Sequence, residues 1–362
     1  FAMRKVTGFA HKRDMLVGAR EGVRAAAQMP RTALVIGAGI AGSSAARALA
    51  ERGIAVTVAE AAQVAAGASG NPVGALYPQL TKYYTPATAW HLIAYAYMLR
   101  QLPRWEGVRW GQTGMVRLPR EGDGLAASLQ LDPAIARMVS AAEAEAIAGC
   151  RVARDGAFLP HGAWVEPASL CRALLAHERI TLREAVPVRA LTHSAQGWQA
   201  EGIEGHFEAV VVATANTELL KGYPLPLGHS AGQVSVVPSG APLRCIVSHR
   251  GYVIPQGEVT LVGATYDHDD FSRRVTDANH DENRRHAKEA LPDWQNAAPM
   301  SGRTALRAST PDRLPYVGHV ADGLYVSIGH GSRGLISAPW AAQIIAAQAT
   351  GDMVPLTPEL RA

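Results

Sequence analysis

Residues Thr32 to Glu60 read TALVIGAGIAGSSAARALAERGIAVTVAE. The stretch opens on an apolar run, Ala33 to Ile36, of the length expected for a strand buried on both faces. Gly37, Gly39 and Gly42 follow in G-x-G-x-x-G spacing. An alanine-rich segment then predicts a helix as far as Arg52, with Gly53 placed to end it. A second apolar run, Ala55 to Ala59, finishes on Glu60, 23 positions after Gly37. Each glycine has a mechanical reason: the first permits a tight strand-to-helix turn, the second lets a pyrophosphate approach the backbone, and the third lets helix and strand pack closely. The helix N-terminus offers unpaired N–H groups and the positive end of its dipole to the phosphates. Glu60 stands where a carboxylate accepts hydrogen bonds from the adenosine ribose. Two strand-like runs around the glycines, with an acid ending the second, predict a dinucleotide site.

Downstream, AAQVAAGASGNPVGALYPQL is rich in small residues, and Ser69, Gly70, Asn71, Pro72 and Gly74 preclude a regular helix. Small residues with apolar flanks suit backbone running against a cofactor ring, the other reading being a plain surface loop. Pro86 onward predicts a helix through His91 and Met98, with Tyr95 and Tyr97 packing. VEPASLCRALLA predicts a helix with Pro167 in its first turn. ITLREAVPVRAL, GWQAEG and HFEAVVVATAN read as strands, and Val210 to Val212 suits a central parallel strand returning to the first unit. GHSAGQVSVVP, LRCIVSHRGYVIPQ and EVTLVGATY predict an antiparallel sheet. Residues 267–289 carry dense charge of both signs, as expected of a solvated loop and exposed helix face. Near the C-terminus, Leu324 to Ile328 reads as a strand, Gly329, Gly331 and Gly334 follow, and Leu335 to Ala346 predicts a helix despite Pro339. A second strand–glycine turn–helix repeats the physics of the first. Two such turns at opposite ends of one chain favour a long ligand such as FAD.

Composition narrows the remainder. With 362 residues the chain can bury the core of one large or two ordinary domains. A net charge of +4 permits a nucleic-acid partner without requiring one. Cys150, Cys171 and Cys245 are scattered and odd in number, so no metal spacing and no disulfide framework is expected, which suits a reducing, cytoplasmic setting. No apolar run approaches the ~20 residues of a membrane span, and no signal peptide is evident. The chain begins at Phe1, and residues 1–30 carry Arg4, Lys5, Lys12, Arg13, Arg20 and Arg24. They read as a basic linker, a nucleic-acid-facing arm or a solvated tail.

GAGIAG, ASGNPVGALYPQL, the pair GQVS and VGATYD, and GHGSRGLISAP together resemble the FAD-dependent amine oxidoreductases of the glycine oxidase and D-amino acid oxidase group. ASGN with GALYPQL, and SRGL with SAP, resemble more narrowly the oxidoreductase domain of the MnmC family, bifunctional enzymes that complete 5-methylaminomethyl-2-thiouridine at the tRNA wobble position. GFAHKRDML resembles the joint after that family's methyltransferase domain, the body of which this chain is expected to lack. The resemblance implies an α/β fold: a Rossmann-like FAD-binding domain with an inserted mixed or antiparallel-sheet substrate domain. The expected division is a linker over 1–30, a discontinuous FAD-binding domain over 31–100, 160–220 and 300–362, and a substrate domain over 101–159 and 221–299.

The implied reaction is oxidative removal of the carboxymethyl group of 5-carboxymethylaminomethyluridine in tRNA, leaving 5-aminomethyluridine and glyoxylate. FAD would carry the redox chemistry while the protein orients the substrate. The reacting end is an N-substituted glycine, whose amine must be neutral and whose carboxylate calls for an arginine. By resemblance Arg307 is the carboxylate-binding arginine, Arg333 lies beside the flavin, and Tyr252 walls the substrate. The plainer readings are an arginine that pairs with an acid or braces a loop, and a core tyrosine. Cofactor contacts are expected from Gly37, Gly39, Gly42, Glu60, Ser69, Gly70, Asn71 and Gly74. The second turn would add Gly329, Gly331, Ser332, Gly334 and Leu335, the amides from Gly331 to Leu335 facing the flavin pyrimidine end. Of the histidines, His330 sits in that turn, and none is assigned as a base. The competing functions are a free glycine or D-amino acid oxidase, and a non-catalytic flavin-binding module.

Overall fold

The computed structural model describes residues 2–7, 14–19, 29–80, 84–120, 132–238, 243–268, 271–294, 300–356 and 360. Ala2–Thr7 and Asp14–Ala19 pair antiparallel. Of the basic residues expected in a linker or arm, Lys12, Arg13, Arg20 and Arg24 lie outside the described residues.

A six-stranded sheet carries the glycine motif. Its order is Ile180–Arg183, Ala55–Ala59, Thr32–Ile36, Ala209–Val212, Leu324–Ile328, Tyr316–Ala321. The first five strands are parallel and the last is antiparallel. The run Val210–Val212 does return to this sheet, between the two strands that precede the glycine turns. Its apolar runs are continuous because both faces are covered. Ala33, Val35 and Val211 face one layer with Ala45, Leu49 and Ile345, whereas Leu34, Ile36, Val210 and Val212 face Trp198 and Phe207. The first layer consists of helices α1 (Ile40–Ala50) and, at the other end of the chain, Gly334–Thr350; alanines let them lie close to the strands and to each other. The second layer is an antiparallel meander, Leu191–Ser194, Gly197–Ala200 and Ile203–Phe207.

Among the described residues four helices come between those two: α2 (Pro86–Gln101), α3 (Ala141–Ala148), α4 (Pro167–Leu175) and α5 (Asp277–Ala290); Gly334–Thr350 is therefore α6. Thr85 caps α2 by accepting from the Thr88 N–H. Pro167 occupies the first turn of α4, where its missing N–H costs nothing. Tyr95 of α2 is buried, and Tyr97 packs on Trp340 of α6.

The second large sheet has eight strands, in the order Ser301–Ser309, Gly228–Pro238, Val259–Gly263, Tyr252–Gln256, Ile246–Ser248, Met115–Arg117, Gly156–Leu159, Arg137–Val139. All neighbours are antiparallel except Ile246–Ser248 with Met115–Arg117. LRCIVSHRGYVIPQ divides into two strands around His249–Gly251, where a tight turn interrupts the apolar run. Ser301–Ser309 pairs along its length with Gly228–Pro238, so this strand, C-terminal to the expected division at 300, is hydrogen-bonded into the eight-stranded sheet.

The charged segment 267–289 is more than a solvated face. Its helix α5 buries His280, Asn283 and Ala287 against the eight-stranded sheet. Asn283 Nδ2 donates to the Gln233 carbonyl (3.1 Å) and Ser235 Oγ (3.0 Å), and Ser235 Oγ meets His280 Nδ1 at 2.7 Å. These pairings offset much of the cost of burying the polar atoms that make them.

Candidate active site

The first turn is built by sterics. At Gly37, φ is +104° and a Cβ would lie 2.8 Å from the Ala213 carbonyl oxygen, so only glycine fits without strain. A Cβ at Gly42 would lie 1.8 Å from the Gly37 oxygen, which is how α1 begins directly on the turn. Gly39 is the N-cap of α1, with no side-chain cap and no acid in the first turn. The uncapped N–H groups and dipole therefore address whatever lies beyond the turn. Ser69 Oγ accepts from the Ile40 N–H at 2.9 Å, bringing the ASGN loop onto this terminus. Glu60 leaves its strand toward the same turn. Its Oε2 accepts from the Ala38 N–H (2.7 Å) and its Oε1 from the Ala62 N–H (3.0 Å). Each oxygen keeps a further lone pair.

The second turn has the same construction. Gly331–Arg333 forms one 3-10 turn, and α6 starts at Gly334 with neither a side-chain cap nor an acid in its first turn. His330 pins the turn from within: Nδ1 lies 2.8 Å from Ser337 Oγ and Nε2 3.0 Å from Ser327 Oγ. Ser337 spends its own proton on the Arg333 carbonyl (3.0 Å), so His330 donates through Nδ1 and accepts at Nε2. Burial pulls its pKa down to about 4, and the ring is neutral. The two turns meet where Gly334 faces Ile40, a Cβ on Gly334 lying 3.4 Å from Ile40 Cγ2, and Gly74 of the following loop faces Leu335, where a Cβ would lie only 2.6 Å from Leu335 Cδ1.

Between them lies a cavity of about 690 Å³. From the first loop it is lined by Ile40, Ser69, Asn71 and Gly74; from the second turn, by Gly331, Ser332, Arg333, Gly334 and Leu335. The eight-stranded sheet adds Tyr252 and Arg307. Gly37, Gly39, Gly42, Glu60, Gly70 and Gly329 are not in its wall. The first four belong to the first turn just described. Gly329 packs on Thr310 and Leu227, and Gly70 faces Arg303.

Arg307 lies flat over Gly232, where a Cβ would stand 2.2 Å from its guanidinium nitrogens. Its Cζ is 4.6 Å from the centroid of Tyr266, and its Nη1 donates to the Thr265 carbonyl at 3.3 Å. Arg333 stands 4.2 Å over the Tyr77 ring and donates to the Tyr77 carbonyl at 3.2 Å. Neither pairs with a carboxylate among the described residues. Arg117, Arg120, Arg250 and Arg313 also line the cavity, and no described Asp or Glu does. Tyr252 has its phenol pushed up to about 12 by burial, so it is a neutral hydroxyl. Burial also raises the Tyr77 phenol, but the charges of Arg333, Arg117 and Arg120 outweigh it and the net shift is downward. Tyr77 had only its place in GALYPQL to announce it, and the sequence reading assigned it no role.

Residues 32–348 match the DAO family, described as FAD dependent oxidoreductase. The chain belongs to this family. The bifunctional protein MnmC of tRNA 5-methylaminomethyl-2-thiouridine biosynthesis from Nitrosospira multiformis is 35% identical over 388 residues, covering 98% of this chain and 63% of the relative. Its namesake from Thiobacillus denitrificans is 36% identical over 400 residues, covering 99% and 63%. The chain thus spans under two thirds of these relatives. Glycine oxidase from Geobacillus kaustophilus has the same fold, with a TM-score of 0.78 at 23% identity over 91% of this chain and 96% of that one. The residues present suit the family's FAD. Two helix N-termini with no acid in their first turns, that of α1 met by the Ser69 hydroxyl, can face its anionic parts, the Glu60 carboxylate with spare lone pairs stands at the first turn, and the cavity between the turns has no described acid in its wall to repel it. Among the described residues, no helix is long and apolar enough to cross a membrane.

Proposed function

We propose that this FAD-dependent oxidoreductase acts on the wobble uridine of tRNA, removing the carboxymethyl group of 5-carboxymethylaminomethyluridine as glyoxylate and leaving 5-aminomethyluridine. The observation that carries the reading is the cavity wall, where arginines gather without a described acid. An N-substituted glycine suits such a wall. Its carboxylate is attracted, while its amine finds no anion among the described residues of the wall to stabilise the ammonium and stays neutral, the form that can be oxidised. Likeness to MnmC proteins over nearly the whole chain supports a tRNA-borne substrate over a free amino acid.

In this reading the phosphates of FAD lie on the turn Gly37–Gly42 and the N-terminus of α1, with Glu60 at the ribose. Ser69, Gly70, Asn71 and Gly74 pass along it. The turn from Gly329 through Gly331, Ser332 and Gly334 to Leu335 serves its other end. When bound, FAD supplies the acceptor for two electrons. Arg307 binds the substrate carboxylate bidentately, its plane held by Tyr266. Arg333, fixed on Tyr77, adds positive charge, and the neutral Tyr252 hydroxyl offers a hydrogen bond. Oxidation across the C–N bond leaves an imine on the substrate. Water adds to it, and the C–N bond breaks to give the amine on the base and glyoxylate. The bifunctional relatives further suggest that a methyltransferase portion accompanies this chain in the parent protein and consumes the aminomethyl product.

The test is mass analysis of wobble nucleosides after incubating the chain with tRNA arrested at the carboxymethylaminomethyl stage, with glyoxylate assayed in parallel. Conversion to the aminomethyl nucleoside is expected. Glyoxylate from free glycine or sarcosine, with tRNA untouched, would replace this reading by that of an amino acid oxidase.

A further inference from the structure

We infer that Arg303 is a positioning residue for the cofactor: it fastens the loop Ala65–Asn71, which lies on the dinucleotide turn, to the strand that carries Arg307. The guanidinium makes three hydrogen bonds into that loop, from Nη1 to Asn71 Oδ1 (2.9 Å) and from Nη2 to the carbonyls of Ala66 (2.9 Å) and Gly67 (2.7 Å). No carboxylate pairs with it among the described residues. The planar fork lets this half-buried cation reach three carbonyl-type acceptors at once from two nitrogens. Gly70 is crowded from two directions, since a Cβ there would stand 2.4 Å from the Ala65 carbonyl oxygen and 2.7 Å from Nη2.

From its other side the same loop is stitched to the first turn. The Ala65 N–H donates to the Ala38 carbonyl, and Ser69 Oγ accepts from the Ile40 N–H of α1. Arg303 and Arg307 are four residues apart on one strand and share its face. At the far end of that strand Ser309 bridges to His330 in the second turn. One strand thus touches both cofactor-facing turns, with Arg307 between its two attachments. Among the described residues, Arg303 supplies the strand's only side-chain hydrogen bonds to the first loop, and it acts through the loop rather than on substrate.

The experiment is titration of the full chain, stripped of flavin, with FAD, followed by quenching of flavin fluorescence. It needs neither tRNA nor turnover, so its outcome is independent of the substrate reading. Arg303→Ala is expected to raise the FAD dissociation constant at least about tenfold, the loss of charge-assisted hydrogen bonds. Arg303→Lys, which keeps charge without the fork, should fall between it and the unmodified chain. Added millimolar guanidinium should restore binding to Arg303→Ala, which a general loss of stability would not allow. In a cycle with Asn71→Ala the double variant should weaken FAD by less than the product of the single effects, because each change breaks the same tie. An unmodified dissociation constant in Arg303→Ala, or independent effects in the cycle, would overturn the inference. Should Arg303→Ala not fold, Arg303→Lys and Asn71→Ala decide: both must weaken FAD, and either one binding it normally overturns the inference.

Discussion

Arg307 and Arg333 share a wall but not a situation. Arg307 keeps most of its donors for the cavity, making one protein hydrogen bond and a ring contact, whereas Arg333 lies on Tyr77 and holds that loop by its carbonyl. Arg307→Ala is accordingly expected to cut turnover of modified tRNA by ~10²-fold or more, the loss of a bidentate charge-assisted pair, with flavin still bound. Arg307→Lys should recover only part of it, and steady-state kinetics on both variants, alongside their visible spectra, checks this. Unaltered turnover would remove Arg307 from the site. Glu60 gives a complementary case: Glu60→Gln keeps an acceptor for the Ala38 N–H but loses the charge. FAD affinity should fall ~10-fold, measured by equilibrium dialysis, and full flavin content after dialysis would contradict the ribose assignment. Glu60 was legible in sequence because its distance from the turn is fixed by one strand–helix–strand unit. Arg303 was not: its partner Asn71 lies 232 positions away, and nothing local marks one arginine among many.

At the scale of elements, the two strand–glycine turn–helix units are what the sequence displays most openly, since a dinucleotide turn packs its whole chemistry into contiguous residues. Four strands of the central sheet follow from continuous apolar runs, whereas the sequence reading does not mark Tyr316–Ala321 as a strand and Ile180–Arg183 is only the start of the run ITLREAVPVRAL; α6 tolerates Pro339 within a helix otherwise tightly packed on α1. What hid were elements defined by distant partners. The hairpin within LRCIVSHRGYVIPQ, the pairing of Ser301–Ser309 and the buried face of α5 depend on neighbours that no local pattern names. The first turn also yields a direct test. Gly42→Ala would place its methyl 1.8 Å from the Gly37 oxygen, so α1 must move off the turn. The expected outcome is loss of FAD together with ~1–3 kcal/mol of stability, the usual cost of overpacking. Denaturant melts and flavin content measure both, and a stable, fully flavinated variant would show that the turn has slack.

For the whole molecule, burial and charge set the response to solution conditions. Burial, and secondarily the charge of Arg333, holds the His91 pKa at about 4 in the folded chain, below the ordinary 6.5. A lowered folded value means that the unfolded chain takes up the proton first. The stability associated with neutral His91 is therefore complete above pH 6.5 and is lost progressively as the pH falls toward 4. His91→Leu should flatten that part of the stability profile in chemical denaturation, and an unchanged slope would assign acid sensitivity elsewhere. Binding of tRNA should weaken linearly on logarithmic axes as salt rises, if cavity-mouth arginines such as Arg120 and Arg250 meet phosphates. The most direct measurement is to add tRNA carrying 5-carboxymethylaminomethyluridine, without oxygen, to the flavin-loaded chain and watch the yellow of the oxidised flavin. It should bleach with that tRNA and persist with tRNA lacking the modification; a chain that takes up no FAD, or whose colour the modified tRNA leaves untouched, would contradict the account.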